Sequence, residues 1–389
     1  MKKRQVILVA NIPDLIDNQR NSAVYNYLTY LTTLSANAEV EIHVFPKKTT
    51  SKSNLTGERN IVMKVISSLL LPFPKLKKTI SDYLLLKKQD LFVKKLFEEF
   101  PNPDGILEFY FYGSQLYKEV EKRNLPYTVF YDCPVYEQSI EVTGLPSLYK
   151  DEINRRQLEA LRLANQIIGY SDPVKEFILN TYKVDSNKIR VFPTFIPDDG
   201  ILSEFNFENR NYIGFIGSFL SWHKVELLIS AFEDIVSELP NEAKLVLIGK
   251  GEEWERIEEI VSRSPAKERI VLTGYVSLSE LRQWRKKIRI GVMPGSNWYG
   301  SPLKLFEYLF AGIPFIAPET PTVTYIFRDK VECLITKNDN PIESLSENLL
   351  ELYRNIDLRK DLTTNALSRM NTTFSEDKLV QILNKIVEY

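Results

Sequence analysis

Cysteine and histidine are scarce in this chain, with two of each among 389 residues. Cys133 and Cys333 stand far apart and have no ligand-like spacing, which excludes a disulfide framework and a zinc site and leaves two buried free thiols as the expectation. An excess of charge is also missing. Fifty basic side chains face 51 acidic ones, so no global field recruits nucleic acid or an acidic polymer, and any basic patch must be local. Nor is there an apolar run near the ~18 residues needed to span a bilayer. The lysines ahead of residues 6–10 imitate a signal peptide, but Asn11, Pro13 and Asp14 end the apolar run too early, and a first buried parallel strand fits better. A cytoplasmic protein that spans nothing is expected.

What is present is an alternation of short apolar strands and amphipathic helices. A hydrophobic content of 44% over this length predicts ordinary globular packing in two domains of nearly equal size. In the first half, strands are expected at 6–10, 40–45, 105–111, 127–131, 166–170 and 188–191, with helices at 22–34, 80–100 and 151–164. That order implies a doubly wound parallel sheet. Residues 45–59 read as a polar surface loop, and 193–211, with Pro197, Asp198, Asp199 and Gly200, as the linker between a domain 1–200 and a domain 201–376. The second half repeats the pattern, with strands at 212–216, 244–248, 270–272 and 288–293 and helices at 225–238, 252–262 and 279–287.

The densest signal is residues 300–318. Ser301 is suited to cap a helix and Pro302 to be its first residue, so that unpaired amides at the positive end of the dipole would stabilise phosphate oxygens. Lys304 and Glu307 lie one turn apart on one face, and Gly312 and Pro314 end the helix. A cation beside phosphates and a carboxylate further along suggest a nucleoside diphosphate whose ribose diol donates to the acid.

This helix resembles the donor-binding helix of retaining glycosyltransferases of the GT-B fold, family 4 in particular. Three other segments recur in that family's order: Gly214-Phe215-Ile216-Gly217 with Trp222-His223, Leu247-Ile248-Gly249-Lys250-Gly251, and Thr273-Gly274-Tyr275-Val276. The resemblance implies two Rossmann-like α/β domains facing across a cleft, the N-terminal one holding the acceptor and the C-terminal one the donor, with helix 377–389 returning to the first. It implies that Glu307 holds the ribose and that Gly274, Tyr275 and Val276 sit against the base. The turn of Gly217 and Ser218 then faces the diphosphate, with Gly249 beside it, and Tyr299, Gly300, Ser301, Pro302 and Leu303 face phosphate and sugar. There are departures. Tyr299 stands eight residues before Glu307, where the family has its first glutamate. The usual Arg and Lys of the phosphate loop fall near Ser218 and His223, so Lys304, with Lys224 or His223, is expected to replace that charge. Asn11-Ile12-Pro13 stands where paired glycines follow the first strand.

Plainer readings stand beside these. Lys304 could be a solvated lysine, Glu307 could only pair with it at about 0.2–0.5 kcal/mol, and His223 could cap its turn. Asp132, at the carboxyl end of a strand, either binds the acceptor hydroxyl or caps the loop before Pro134. The same rule nominates Asn11, Tyr112, Ser171 and Thr194 as cleft-edge residues. Residues 64–100 interleave lysines with leucines: a solvated helix face, or a peripheral contact with anionic lipid at about 1 kcal/mol per lysine. The expected function is transfer of a sugar from a UDP- or GDP-sugar to a hydroxyl of a saccharide, glycolipid or protein-linked glycan, in bacterial cell-surface polysaccharide or glycoconjugate synthesis. Asp132, Lys304 and Glu307 would serve the reaction, with no cofactor and no metal. The alternatives are a non-catalytic GT-B partner of another transferase and nucleotide-sugar epimerisation.

Overall fold

The computed structural model describes residues 3–10, 30–45, 73–131, 133–193 and 210–387. Asn11, Asp132, Thr194, most of the predicted helix 22–34, the loop 46–59 and nearly all of the predicted linker lie outside them. The chain divides into two compact units, one of Met1–Gly169, Lys175–Val191 and Asp377–Tyr389, the other of Tyr170–Val174 and Phe192–Glu376.

The first unit is built on β1 (Arg4–Ala10), β2 (Val40–Phe45), β3 (Gly105–Phe109), β4 (Tyr127–Phe130), β5 (Gln166–Gly169) and β6 (Ile189–Val191). Among the described residues they form one sheet in the order β2-β1-β3-β4-β5-β6, parallel throughout. Val6 to Ala10 are fully buried, as expected of a parallel strand covered on both faces. The connecting helices are α1 (Pro74–Glu99), α2 (Leu116–Arg123), α3 (Val135–Thr143), α4 (Lys150–Leu163) and α5 (Asp172–Tyr182). Helix α1 begins six residues before its predicted start because Pro74 opens it, proline lacking only an amide that has no partner in a first turn. Helices α2, α3 and α5 are absent from the sequence reading. Pro134 and Gly144, the latter with φ 66°, bracket α3 and were the available signal.

The second unit runs β7 (Tyr212–Ile216), α6 (Val225–Ile235), β8 (Lys244–Ile248), α7 (Trp254–Arg263), β9 (Ile270–Gly274), α8 (Leu278–Arg285), β10 (Ile288–Val292), α9 (Leu303–Phe310), β11 (Phe315–Pro318), α10 (Pro321–Ile326), β12 (Leu334–Thr336), α11 (Pro341–Arg354) and α12 (Ile356–Thr373). Its strands are parallel in the order β12-β11-β10-β7-β8-β9. The winding therefore reverses between β7 and β10, and loops leaving these two strands part to opposite sides, which opens a crevice at their carboxyl ends. Helix α13 (Glu376–Asn384) belongs almost wholly to the first unit, where Leu379, Leu383 and Ile386 are buried. There Asn384 Oδ1 accepts from the Glu39 amide at 2.8 Å.

Candidate functional site

The end of β7 is shaped by glycine. The Gly217 amide donates to the Ile248 carbonyl at 2.9 Å and the Gly249 amide to the Gly274 carbonyl at 2.9 Å, which stitches the loops after β7, β8 and β9 to one another. Gly249 has φ 122°, and a Cβ there would overlap the Gly217 carbonyl oxygen, so the stitch requires glycine. Beyond Gly217 the chain exposes Ser218 and buries Phe219, which stacks on Trp254 at 5.6 Å. A short turn over Ser221–His223 and a left-handed Lys224 (φ 48°) then lead into α6.

Lys304 lies across this end of the strand. A Cβ on Gly217 would come within 2.8 Å of Lys304 Cε, so the bare glycine is what admits the lysine. Lys304 Nζ is 2.9 Å from His223 Nε2, and His223 Nδ1 is 2.6 Å from the Ser218 carbonyl oxygen. An ammonium only donates and a carbonyl only accepts, so His223 is the neutral tautomer protonated at Nδ1. Burial, and then the charge of Lys304, hold the imidazole down to about 3. Burial also draws Lys304 down to about 8, against the attraction of Glu307. At neutral pH the positive charge therefore resides on Lys304 and not on His223.

Glu307 does not pair with Lys304. Its Oε2 accepts from Arg285 Nη2 at 3.0 Å, with both side chains about one-fifth exposed, at 23% and 19%. The Arg285 Nε is buried and, among the described residues, has no hydrogen-bond partner. Tyr308 fixes the helix that carries both charged residues. Its hydroxyl accepts from the Ile216 amide at 2.8 Å and lies 3.3 Å from the Gly214 and Val292 carbonyls. A Cβ on Gly291, in the middle of β10, would collide with the Tyr308 ring. An isolated glycine within a strand marks such a close approach and was a legible signal for Tyr308. Arg285 had none, being one of several charged residues on a surface helix.

The start of α9 corrects the sequence expectation. The helix begins at Leu303, Pro302 takes the N-cap position at φ −80° and ψ 57°, and among the described residues no side chain caps it. The Leu303 amide instead donates to the Ser301 carbonyl at 2.9 Å, so this tight turn replaces a serine cap and already satisfies one of the amides assigned to phosphate. Gly300 donates its amide to Asn297 Oδ1 at 2.8 Å. Tyr299 is 1% exposed and sets its ring edge against Trp298, so its side chain belongs to the core and not to the ligand face. Gly274, the last residue of the edge strand β9, is left-handed at φ 66°, and beyond it Tyr275 is exposed and Val276 half-buried. Lys224 is exposed, with the base of its side chain against Gly295.

In the first unit Tyr112 is held against α1. Lys78 Nζ, bonded to Asp82 at 2.6 Å, also donates to the Tyr112 hydroxyl at 3.5 Å. Ser171, in the second unit, is buried with its Oγ 3.4 Å from Thr322 Oγ1. Glu108 on β3 went unmarked in the sequence. It is fully buried, accepts from the Ser114 and Tyr127 hydroxyls, and is pushed up to about 7 chiefly by burial. Both cysteines are buried thiols, and Cys133 Sγ donates to Gln138 Oε1 at 3.1 Å. Among the described residues no group of three or more His, Cys, Asp or Glu is placed to hold a metal.

Residues 210–355 match the family model for glycosyl transferases group 1. The chain is similar to two uncharacterized glycosyltransferases of Methanocaldococcus jannaschii. One, MJ1069, is 24% identical over 232 residues, covering 58% of each protein, and the other, MJ1178, is 29% identical over 184 residues, covering 47% of this chain and 50% of the relative. The chain thus spans about half the length of these curated relatives. Among solved structures it is similar to Anabaena Alr3699/HepE in complex with UDP-glucose (TM-score 0.66, 11% identity, 98% of both chains). It is also similar to WaaG, a glycosyltransferase involved in lipopolysaccharide biosynthesis (TM-score 0.61, 13% identity, 97% of this chain and 99% of that one). A third is S. aureus TarM, as a mutant in complex with Fondaparinux, alpha-GlcNAc-glycerol and UDP (TM-score 0.61, 16% identity, 77% of this chain and 58% of that one). At these identities the likeness establishes the fold, which is GT-B.

Proposed function

We propose that this protein is a glycosyltransferase that takes a nucleoside-diphosphate sugar, with UDP as the nucleotide, at the carboxyl ends of β7 and β10. The observation that carries the reading is Lys304, a half-buried cation laid across Gly217 at the switch point and held by a neutral histidine. Among the described residues no carboxylate bonds to this cation, so an incoming diphosphate supplies the missing counter-charge. Glu307, with Oε2 on Arg285, keeps Oε1 for a ribose hydroxyl. The complexes of HepE with UDP-glucose and of TarM with UDP support the choice of nucleotide.

In this reading Lys304 and nearby amides neutralise charge developing on the departing diphosphate. Its phosphate oxygen takes the proton of the acceptor hydroxyl on the same face, so configuration is retained and no protein base is needed. His223 fits that division, since an imidazole held near 3 stays neutral and serves to place the lysine. The first unit supplies the acceptor site, to which Tyr112 is assigned, together with Asn11 and Asp132, which lie outside the described residues. A saccharide, glycolipid or protein-linked glycan in cell-surface synthesis is the proposed acceptor class.

A second reading has one observation in its favour. The buried Tyr299 leaves the site without the family's first glutamate, which suits a non-catalytic GT-B partner. Thermal unfolding with UDP, GDP, ADP and CMP separates the two. Ligand at a hundred times its dissociation constant stabilises by about 2.7 kcal/mol. A rise in midpoint with UDP, lost in Lys304→Ala and Glu307→Ala, is expected, followed by sugar transfer from UDP-sugars. No rise with any nucleotide would favour the partner reading.

A further inference from the structure

Helix α1 is apolar on two faces. One face, with Leu86, Val93, Leu96 and Phe97, is buried in the first unit. On the other, Phe73, Leu76, Tyr83 and Leu91 are 60, 49, 47 and 55% exposed. Leu76, Tyr83 and Leu91, the last two at offsets of seven and fifteen residues from the first, fall within one quadrant of the helix at ~100° per residue, and Phe73 stands at its N-cap. The Tyr83 ring meets that of Tyr149 at 6.4 Å, which sets Leu148, 82% exposed, beside the same stripe. Five of the eight large hydrophobic side chains exposed among the described residues thus gather on one surface.

Lysines outnumber acids around the stripe. Lys77, Lys87 and Lys88 are exposed, and Lys87 Nζ reaches over the Tyr83 ring at 5.9 Å. Of the acids on the helix, Glu98 is paired with Lys94 at 3.8 Å near its far end. Asp82 is buried and bonded to Lys78, and Asp90 accepts from Gln115 at 2.6 Å on the side of α2. We propose that this face of α1, with Leu148, docks the protein onto a membrane surface of anionic lipid. A row of large apolar side chains ~27 Å long, flanked by lysines whose stems can lie along it, matches the boundary between headgroups and acyl chains. A second copy of the chain is a poor occupant, because a two-fold contact would set these lysines against their own counterparts. The surface lies in the unit to which the acceptor is assigned, so it favours a lipid-linked acceptor. Docking itself does not depend on the donor site.

The test is co-sedimentation of the full chain with vesicles of phosphatidylcholine alone and with 30% phosphatidylglycerol. Binding to the anionic vesicles is expected, weakening with salt. Each lysine near the surface contributes about fivefold in partitioning, so Lys77→Gln with Lys88→Gln should lower it about 25-fold. Phe73→Ser with Leu91→Ser should abolish it without changing UDP-induced thermal stabilisation, which keeps a failure of docking distinct from a failure of the donor reading. The proposal is overturned if anionic vesicles do not bind the protein, or bind both variants as well as the parent. It is equally overturned by a concentration-dependent dimer that the Phe73→Ser, Leu91→Ser variant abolishes.

Discussion

At the end of β7 a bare glycine lets a lysine lie across the strand, whereas on β3 a carboxylate is sealed among hydroxyls and aromatic rings. Both sheets are doubly wound and parallel, and both place a charged group where the strand order turns. In the second unit, small residues at Gly217, Gly249 and Gly291 clear space for Lys304 and Tyr308, and Lys304 keeps its charge although half-buried. In the first, Tyr127 and Ser114 close over Glu108, and the charge is suppressed instead. The difference teaches that the strand plan supplies only the location. Side-chain volume at the strand ends decides whether a charge there is available to a ligand or folded into the core.

The contrast breaks most visibly at Gly249. Replacing it with alanine puts a Cβ into the Gly217 carbonyl at a left-handed φ, and a loss of about 2–4 kcal/mol in denaturant unfolding is expected. A loss under about 0.5 kcal/mol, typical of a neutral surface change, would show that the stitched loops do not constrain the site.

The sealed carboxylate should show itself in pH. Glu108 is raised from 4.5 to about 7 on folding, so its favourable contribution is complete below 4.5 and is lost as pH rises through 7. Unfolding of the parent relative to Glu108→Gln should therefore lose about 3 kcal/mol between pH 4.5 and 8. Parallel pH curves for the two proteins would mean that the glutamate is not buried as described.

Smaller effects sharpen the open end. Tyr308→Phe leaves the Ile216 amide without its acceptor and should destabilise by about 1–2 kcal/mol, with nucleotide binding weakened as α9 loosens. Arg285→Ala should weaken UDP binding by about five- to tenfold, less than the full worth of a charged hydrogen bond because Arg285 acts only by holding Glu307 in place. Arg285→Lys should recover part of it. Equal affinity in all three proteins would assign the ion pair to packing alone.

Much of this was legible before the fold. Short apolar runs bounded by polar residues gave the parallel strands, and the Gly-turn segments with residues 300–312 marked the second unit's crevice, because backbone geometry there leaves few residue types to choose from. What stayed hidden depended on contacts distant in sequence. Arg285 reaches Glu307 from 22 residues away. Glu108 resembles any lone acid in a strand until Ser114 and Tyr127 close on it. Ser301 looked like a cap because serine commonly is one, but Pro302 at the N-cap turned the Ser301 carbonyl, not its hydroxyl, toward Leu303. Helices α2 and α3 were too short for their periodicity to stand out.

The central claim is that Lys304 is the charge awaiting a diphosphate. Calorimetric titration of UDP into the parent and Lys304→Ala at pH 7 and pH 9 tests it directly. With the amine near 8, the parent should bind about 10- to 150-fold more tightly than the variant at pH 7, the worth of a charged hydrogen bond, and most of that advantage should vanish at pH 9. Equal affinities for the two proteins at pH 7, or a parent affinity unchanged between the two pH values, would contradict the account.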